Sequence, residues 1–136
     1  MLRDRLVSGI LSGVEDCFVN GHPTDRLTNN ANITFKFADA DKVMMEMKDV
    51  AVSSGSACSS ANPEPSHVLR AIGLSDEDAK CSIRFGVGRF TTEQEIDYSI
   101  QRVKETVQSV REKKKSMDTK TRRHEDSQRK FFLGVA

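Results

Sequence analysis

The sequence predicts an α/β unit, a small sheet packed with helices. Two stretches alternate apolar and polar residues with the period of a half-buried strand. One carries Ile33, Phe35 and Phe37, the other Cys81, Ile83, Phe85 and Val87. Elsewhere apolar residues recur at helical spacing, most clearly Ile96, Ile100, Val103, Val107 and Val110 in steps of four and three. Strands interleaved with helices build a layered domain around one core. The expected sheet has about three or four strands, few enough that it needs something packed on its other side.

The first element is a helix from about Leu2 to about Gly13. Leu2, Leu6, Ile10 and Val14 line one face, Val7 and Leu11 widen the stripe, and Gly13 stands near the C-terminal end. Phe18 and Val19 then lead into Asn20-Gly21-His22-Pro23, a strong turn signal. Residues 24–30 are polar and read as a loop. Residues 32–37 read as a strand burying Ile33, Phe35 and Phe37. Asp39 or Asp41 caps a helix of about Lys42 to Lys48 with Val43, Met44 and Met47 on its apolar face. Met44, Met45 and Met47 are most simply helix packing. Ala51 and Val52 begin a short extended segment.

That segment runs into residues 53–63, almost all small, which read as a mobile loop around Cys58. A short helix of about Ser66 to Ile72 follows and stops at Gly73. Residues 75–78 form an acidic turn or one helical turn. Residues 81–87 form the second strand, with Arg84 and Ser82 on the face opposite Ile83 and Phe85. Thr92 and Glu95 match a capping box. The helix behind it runs about five turns, to near Glu112. Residues 1–112 are thus expected to form the domain. Residues 113–136 are expected to form a basic tail, either a solvated helix extension or disordered.

Composition narrows the function classes. The 136 residues, 37% hydrophobic and 30% charged, suffice for one core. No apolar run approaches the roughly 20 residues needed to span a bilayer, and Met1 to Leu6 does not look like a signal peptide. A soluble, intracellular protein is expected. The net charge of +1 conceals an asymmetry: residues 111–130 hold nine Lys or Arg against four acids, so that segment is +5 and the remainder −4. Such charge runs are usually just solvated, and no nucleic-acid partner is expected.

Three cysteines at irregular spacing, Cys17, Cys58 and Cys81, argue against a disulfide framework, and no spacing suits a metal. Cys81 falls on an apolar strand face and Cys17 beside Phe18, so both read as packing. Cys58 on a loop of small residues suits an accessible nucleophile. The competing reading is an ordinary exposed cysteine, and composition alone does not decide between them. His67 reads as a capping or surface histidine, and Arg84 in isolation as a surface ion-pairing arginine.

Two long motifs carry more. Residues 52–61, Val-Ser-Ser-Gly-Ser-Ala-Cys-Ser-Ser-Ala, followed by Glu64-Pro65-Ser66-His67-Val68-Leu69-Arg70-Ala71-Ile72-Gly73, closely resemble the active-site cysteine region of the NifS/IscS-like cysteine desulfurases. Residues 82–98 resemble the segment that follows it, and residues 2–6 and 30–35 are also similar to that family. The resemblance covers roughly residues 2–112. It implies the small C-terminal domain of a fold-type I pyridoxal-phosphate enzyme of aminotransferase-like fold. Such enzymes take sulfur from L-cysteine onto a cysteine as a persulfide and give L-alanine, for iron-sulfur cluster assembly or other sulfur transfer. On this resemblance Cys58 is the persulfide carrier and Arg84 receives the substrate carboxylate. Asn32, expected just before a strand, is a further candidate for substrate contact, with a turn-side hydrogen bond as the alternative.

The resemblance also implies what these residues lack. The family's cofactor lysine lies upstream of its cysteine, and none of the 57 residues before Cys58 forms that motif. No residue here is therefore assigned to pyridoxal phosphate or to a metal. The polypeptide is expected to be a fragment that is inactive alone. The expected associations are a homodimer or a large-domain partner, together with a sulfur acceptor or an iron-sulfur scaffold, although the tail differs from the family's scaffold-docking segment. The alternatives are a non-enzymatic persulfide carrier and an interaction module pairing with a full-length desulfurase. The expected compartment is the cytoplasm, or the mitochondrion in a eukaryote.

Overall fold

The computed structural model describes residues 1–54 and 67–133, with side chains through residue 129. The elements are α1 (Leu2–Gly13), β1 (Cys17–Asn20), β2 (Asn30–Phe35), α2 (Ala40–Glu46), β3 (Val52–Ser54), α3 (His67–Ala71), α4 (Asp76–Lys80), β4 (Ser82–Gly86) and α5 (Glu93–Leu133). The four strands form one antiparallel sheet in the order β1-β2-β4-β3. Phe18 and Val19, read above only as the approach to a turn, lie within β1. Gly21 makes the turn behind it with a φ of +94°.

Strand alternation decides which face of the sheet is covered. Ile33 pairs with Ile83 and Ala31 with Phe85, and these four side chains are buried on the helical side. The Phe35 and Phe85 rings meet nearly edge-on, 6.3 Å apart at 74°. Over them lie Leu6 and Ile10 of α1 and Ile96, Val103, Val107 and Val110 of α5, all in one core with Val43 and Met47 of α2. Of the expected α2 stripe, Met44 is only half-buried and Met45 is exposed. Asp39 is the α2 cap, accepting from the backbone amides of Asp41 and Lys42.

Phe37 departs from the sequence reading. β2 ends at Phe35, and Phe37 is 55% exposed in the left-handed region at φ +66°. The alternation had suggested a third buried position, but the chain has already turned away. Arg111 holds that turn. Its guanidinium donates to the carbonyls of Lys36, Glu15 and Asp16 at 2.9, 3.0 and 3.2 Å. One side chain on α5 thereby ties the start of β1 to the exit of β2.

α1 and α5 pack closely because α1 presents Gly9 and Gly13 to its neighbour. A Cβ on Gly9 would lie 2.4 Å from Ile100 Cδ1, and one on Gly13 1.9 Å from Lys104 Cε. Gly13 is the last residue of α1 and Val14 the extended cap, so Gly13 serves close approach and not a left-handed stop. Gly73 does make such a stop after α3, at φ +95°. The Thr92–Glu95 capping box forms reciprocally. The Thr92 amide donates to Glu95 Oε2 at 2.8 Å, and the Glu95 amide to Thr92 Oγ1 at 3.2 Å. α5 then continues far past Glu112, its last buried residue being Val110.

Ion pairs anchor α5 on the exposed side, among them those of Asp97 and Asp49. Arg5 grips Asp97 through two bonds of 2.8 Å. Asp49 accepts from the Tyr98 hydroxyl and from Arg102 Nε at 3.0 Å. Arg5 holds the Asp97 carboxyl below its usual range, and Tyr98 followed by Arg102 does the same for Asp49. No helix among the described residues is long and apolar enough to cross a membrane.

Two predictions follow from this packing. Gly9→Ala should destabilise the fold in urea, because about 1–3 kcal/mol of overpacking against Ile100 outweighs the roughly 1 kcal/mol of helix propensity gained. Gly13→Ala should change stability far less, since the flexible end of Lys104 can move aside. The carboxylates give a pH dependence. A lowered folded-state pKa contributes stability that is complete above the unfolded value of about 4 and is lost as pH falls through the lowered value. Asp97→Asn should therefore flatten the acid limb of a stability–pH profile; an unchanged limb would assign the acid loss elsewhere.

Candidate functional site

The sheet's second face is polar, and pairing register assembles it. Asn20, Asn32, Arg84 and Ser53 stand side by side across the four strands, because Asn20 pairs with Asn32, Asn32 with Arg84, and Arg84 with Ser53. Directly opposite residues on one face have Cβ atoms about 5 Å apart. Beside this row lies a second one, in which Phe18 pairs with Thr34 and Thr34 with Ser82.

Arg84 is exposed on this face, opposite Ile83 and Phe85, where the sequence placed it. Among the described residues it makes no hydrogen bond or ion pair. Its guanidinium is thus left without an ion pair among those residues. It borders an open groove of about 440 Å³ lined also by Leu27, Asn29, Asn30, Gly86, Val87 and Gly88. Among the described residues no carboxylate lines the groove. A guanidinium of this kind accepts a carboxylate through two parallel bonds.

Asn32 lies inside β2 and not ahead of it, a correction to the sequence reading, because β2 begins two residues earlier, at Asn30. Its hydrogen bond is with another strand: Asn20 Nδ2 donates to Asn32 Oδ1 at 2.7 Å. The Asn32 Nδ2 amide has no hydrogen-bond partner among the described residues. It is left beside Arg84 as a second group of N–H donors.

Beneath this row is a buried polar cluster that sequence reasoning missed. Asn20, Thr34 and Ser82 are 7%, 0% and 0% exposed. Asn20 Nδ2 also donates to Thr34 Oγ1 at 2.8 Å and lies 3.4 Å from Ser82 Oγ. Thr34 Oγ1 is 2.8 Å from Ser82 Oγ, which donates to the Asp78 carbonyl of α4 at 2.8 Å. α4 thus closes one end of the polar face. Among the described residues no buried side-chain N or O lacks a partner. The alternation Asn30, Asn32, Thr34 against Ser82, Arg84 was the available signal; the depth at which Thr34 and Ser82 sit was not.

The remaining candidates sort by environment. Cys58 lies outside the described residues. Cys17 is half-buried with its thiol bonded to the Val14 carbonyl, and Cys81 is buried; burial pushes both thiols up, away from the thiolate form. His67 is exposed on α3. No group of His, Cys, Asp and Glu among the described residues could hold a metal ion. Pyridoxal phosphate, which the sequence resemblance implied, requires a lysine amine for its aldehyde and donors for its phosphate. Among the described residues the Arg84 groove presents no lysine, so those residues do not fit that group.

Comparison with known proteins identifies the family. Residues 2–98 match the family model described as "Aminotransferase class-V". The chain is 57% identical over 111 residues to the "Cysteine desulfurase IscS" of Histophilus somni (strain 2336), covering 82% of this chain and 27% of the relative. It is 55% identical over 111 residues, with the same coverage, to the protein of that name from Pasteurella multocida (strain Pm70). Among solved structures, a NifS-like protein from Rickettsia africae ESF-5 superposes with a TM-score of 0.65 at 27% identity, over 77% of this chain and 27% of that one. The chain thus spans about 27% of the length of the curated relatives it matches.

Arg84 and Asn20 should separate in a mutational test. Arg84→Ala should leave stability within about 0.5 kcal/mol of wild type, as for other surface changes that break no contact. Asn20→Ala should cost about 1–3 kcal/mol, because it strands buried acceptors. Equal costs in urea unfolding would mean that Arg84 supports the fold.

Proposed function

The chain belongs to the aminotransferase class-V family, and we propose that it works as the substrate-gripping and sulfur-carrying region of a cysteine desulfurase. The observation that carries this reading is the exposed Arg84, without a hydrogen-bond or ion-pair partner among the described residues and directly across from Ser53. Cys58 follows Ser53 by five residues, so covalent length alone keeps its Cα within about 18 Å of Ser53. The carboxylate anchor therefore faces the strand that leads in sequence to the cysteine. The identity to relatives named cysteine desulfurase supports the same assignment.

Each residue has a separate task. Arg84 pairs with the carboxylate of L-cysteine and fixes its orientation, and the Asn32 amide adds a donor to the same carboxylate. Cys58 receives the sulfur. In the overall exchange the substrate's carbon–sulfur bond breaks and a sulfur–sulfur bond forms on Cys58. A proton replaces sulfur on carbon, giving L-alanine. The carbon is reduced as the two sulfurs are oxidised, so the reaction needs no outside oxidant. Pyridoxal phosphate is held by residues other than those of the Arg84 groove, in a large-domain partner or a longer chain. The persulfide then passes to a sulfur acceptor or an iron-sulfur scaffold, in a compartment reducing enough to keep the thiol free.

A second reading is a persulfide carrier with no desulfurase step, consistent with the absence of the family's cofactor-lysine motif from the 57 residues before Cys58. Here the Cys58 thiolate takes the outer sulfur of a persulfide donor and the donor's thiol leaves.

Two measurements test these readings. The 136-residue polypeptide incubated with pyridoxal phosphate and L-cysteine should form no alanine or sulfide above a protein-free blank; product would place the whole activity in these residues. Exposure to a low-molecular-weight persulfide should make Cys58 one sulfur atom heavier by mass spectrometry, while Cys17 and Cys81 stay unmodified. Sulfur on Cys81 or Cys17 but not on Cys58 would overturn the assignment of the carrier.

A further inference from the structure

The cluster under the polar face has a direction, and that direction can be read by counting protons. The fixed point is the Asp78 backbone carbonyl, which can only accept. Ser82 Oγ, 2.8 Å away, must spend its single proton there. Thr34 Oγ1, 2.8 Å from Ser82 Oγ, must then donate to Ser82. With its proton committed, Thr34 Oγ1 can only accept from Asn20 at 2.8 Å, so the Asn20 atom facing it is the amide nitrogen. The 3.2 Å approach of Thr34 Oγ1 to Asn20 Oδ1 then carries no proton. The same Asn20 nitrogen lies 2.7 Å from the Asn32 side chain, and a donor there requires the Asn32 oxygen opposite it. The Asn32 amide cannot turn without reversing every bond back to a carbonyl that cannot donate.

We infer that Asn20, Thr34 and Ser82 are positioning residues that fix the Asn32 side-chain amide with its N–H groups turned outward beside the Arg84 guanidinium. The pair they set, the Arg84 guanidinium and the Asn32 N–H groups, presents donors alone and so favours a carboxylate over a neutral amide of the same shape. A carboxylate only accepts and meets two donor groups there; an amide brings N–H groups that this pair cannot accept. Were the Asn32 amide reversed, its oxygen would face the carboxylate and repel it. The three residues touch no ligand themselves. This inference rests on the carboxylate role proposed for Arg84 and Asn32, but the orientation itself can be measured without any ligand.

The test uses the 15N-labelled full chain. By NMR, the Asn20 side-chain N–H protons should exchange slowly with solvent and those of Asn32 rapidly; the opposite pattern would overturn the relay. L-alanine titrated into the protein should shift the Asn32 side-chain amide signals, and alaninamide should not. Asn20→Asp replaces the donor with an acceptor of the same shape. It should turn the Asn32 amide, slow its exchange and weaken alanine binding at least tenfold. Ser82→Ala and Thr34→Val, which cut the relay further from the site, should also change Asn32 exchange, and Thr34→Ser should restore it. If Asn20→Asp fails to fold, these two variants carry the test. Unchanged Asn32 exchange in all of them would refute a positioning role. The failure of the carboxylate reading looks different: the exchange pattern holds, but wild type and Arg84→Ala respond identically to L-alanine.

Discussion

Between β2 and β4, Ile33 faces Ile83 on one side of the sheet while Asn32 faces Arg84 on the other. A slip of one residue would exchange the two faces along a whole strand. On β4 it would expose the fully buried Ile83 and drive Arg84 into the core. The hydrophobic penalty against that slip holds Asn32 and Arg84 opposite each other, so the core positions the candidate site although no core residue touches it. The helices serve the same register from one side only. α1 and α5 press on the apolar face through the glycine approach at Gly9 and Gly13, and Arg111 ties the ends of β1 and β2.

Much of this was legible in the residues. The 4-3-4-3 pattern from Ile96 to Val110 gave a true helix because every member packs on the core, Ile100 half-buried at its edge. The capping box at Thr92 and the glycine stop at Gly73 were local rules with local outcomes. The alternation around Arg84 also gave the correct face, since side-chain period in a strand is set by backbone geometry alone. Phe37 shows where that logic ends. Alternation continued through it in sequence, but strand length is set by pairing partners, and β4 begins only opposite Thr34.

The site was legible in part, for a different reason. Arg84 and Asn32 lie 52 positions apart, and nothing local predicts that they would be paired. Family resemblance named the arginine; register brought the asparagine to it. The buried trio of Asn20, Thr34 and Ser82 was hidden more deeply. Small polar residues usually mark turns and surfaces, yet these three are interior, with α4 bonded to Ser82. Each of them is hydrogen-bonded, which is the condition for polar groups to be tolerated at such depth.

α5 has a consequence of another kind. From Arg111 to Leu133 it runs on for about 35 Å, at 1.5 Å per residue, and its exposed part carries most of the +5 charge of residues 111–130, against −4 elsewhere. A molecule nearly neutral in total is therefore a strong electric dipole, with its positive pole on a stiff rod held away from the negative pole. Such an object orients before it touches anything. It would be retained on a cation-exchange resin as though far more basic than its pI of about 7.7 suggests, and it would approach an anionic surface rod first, with the Arg84 face behind.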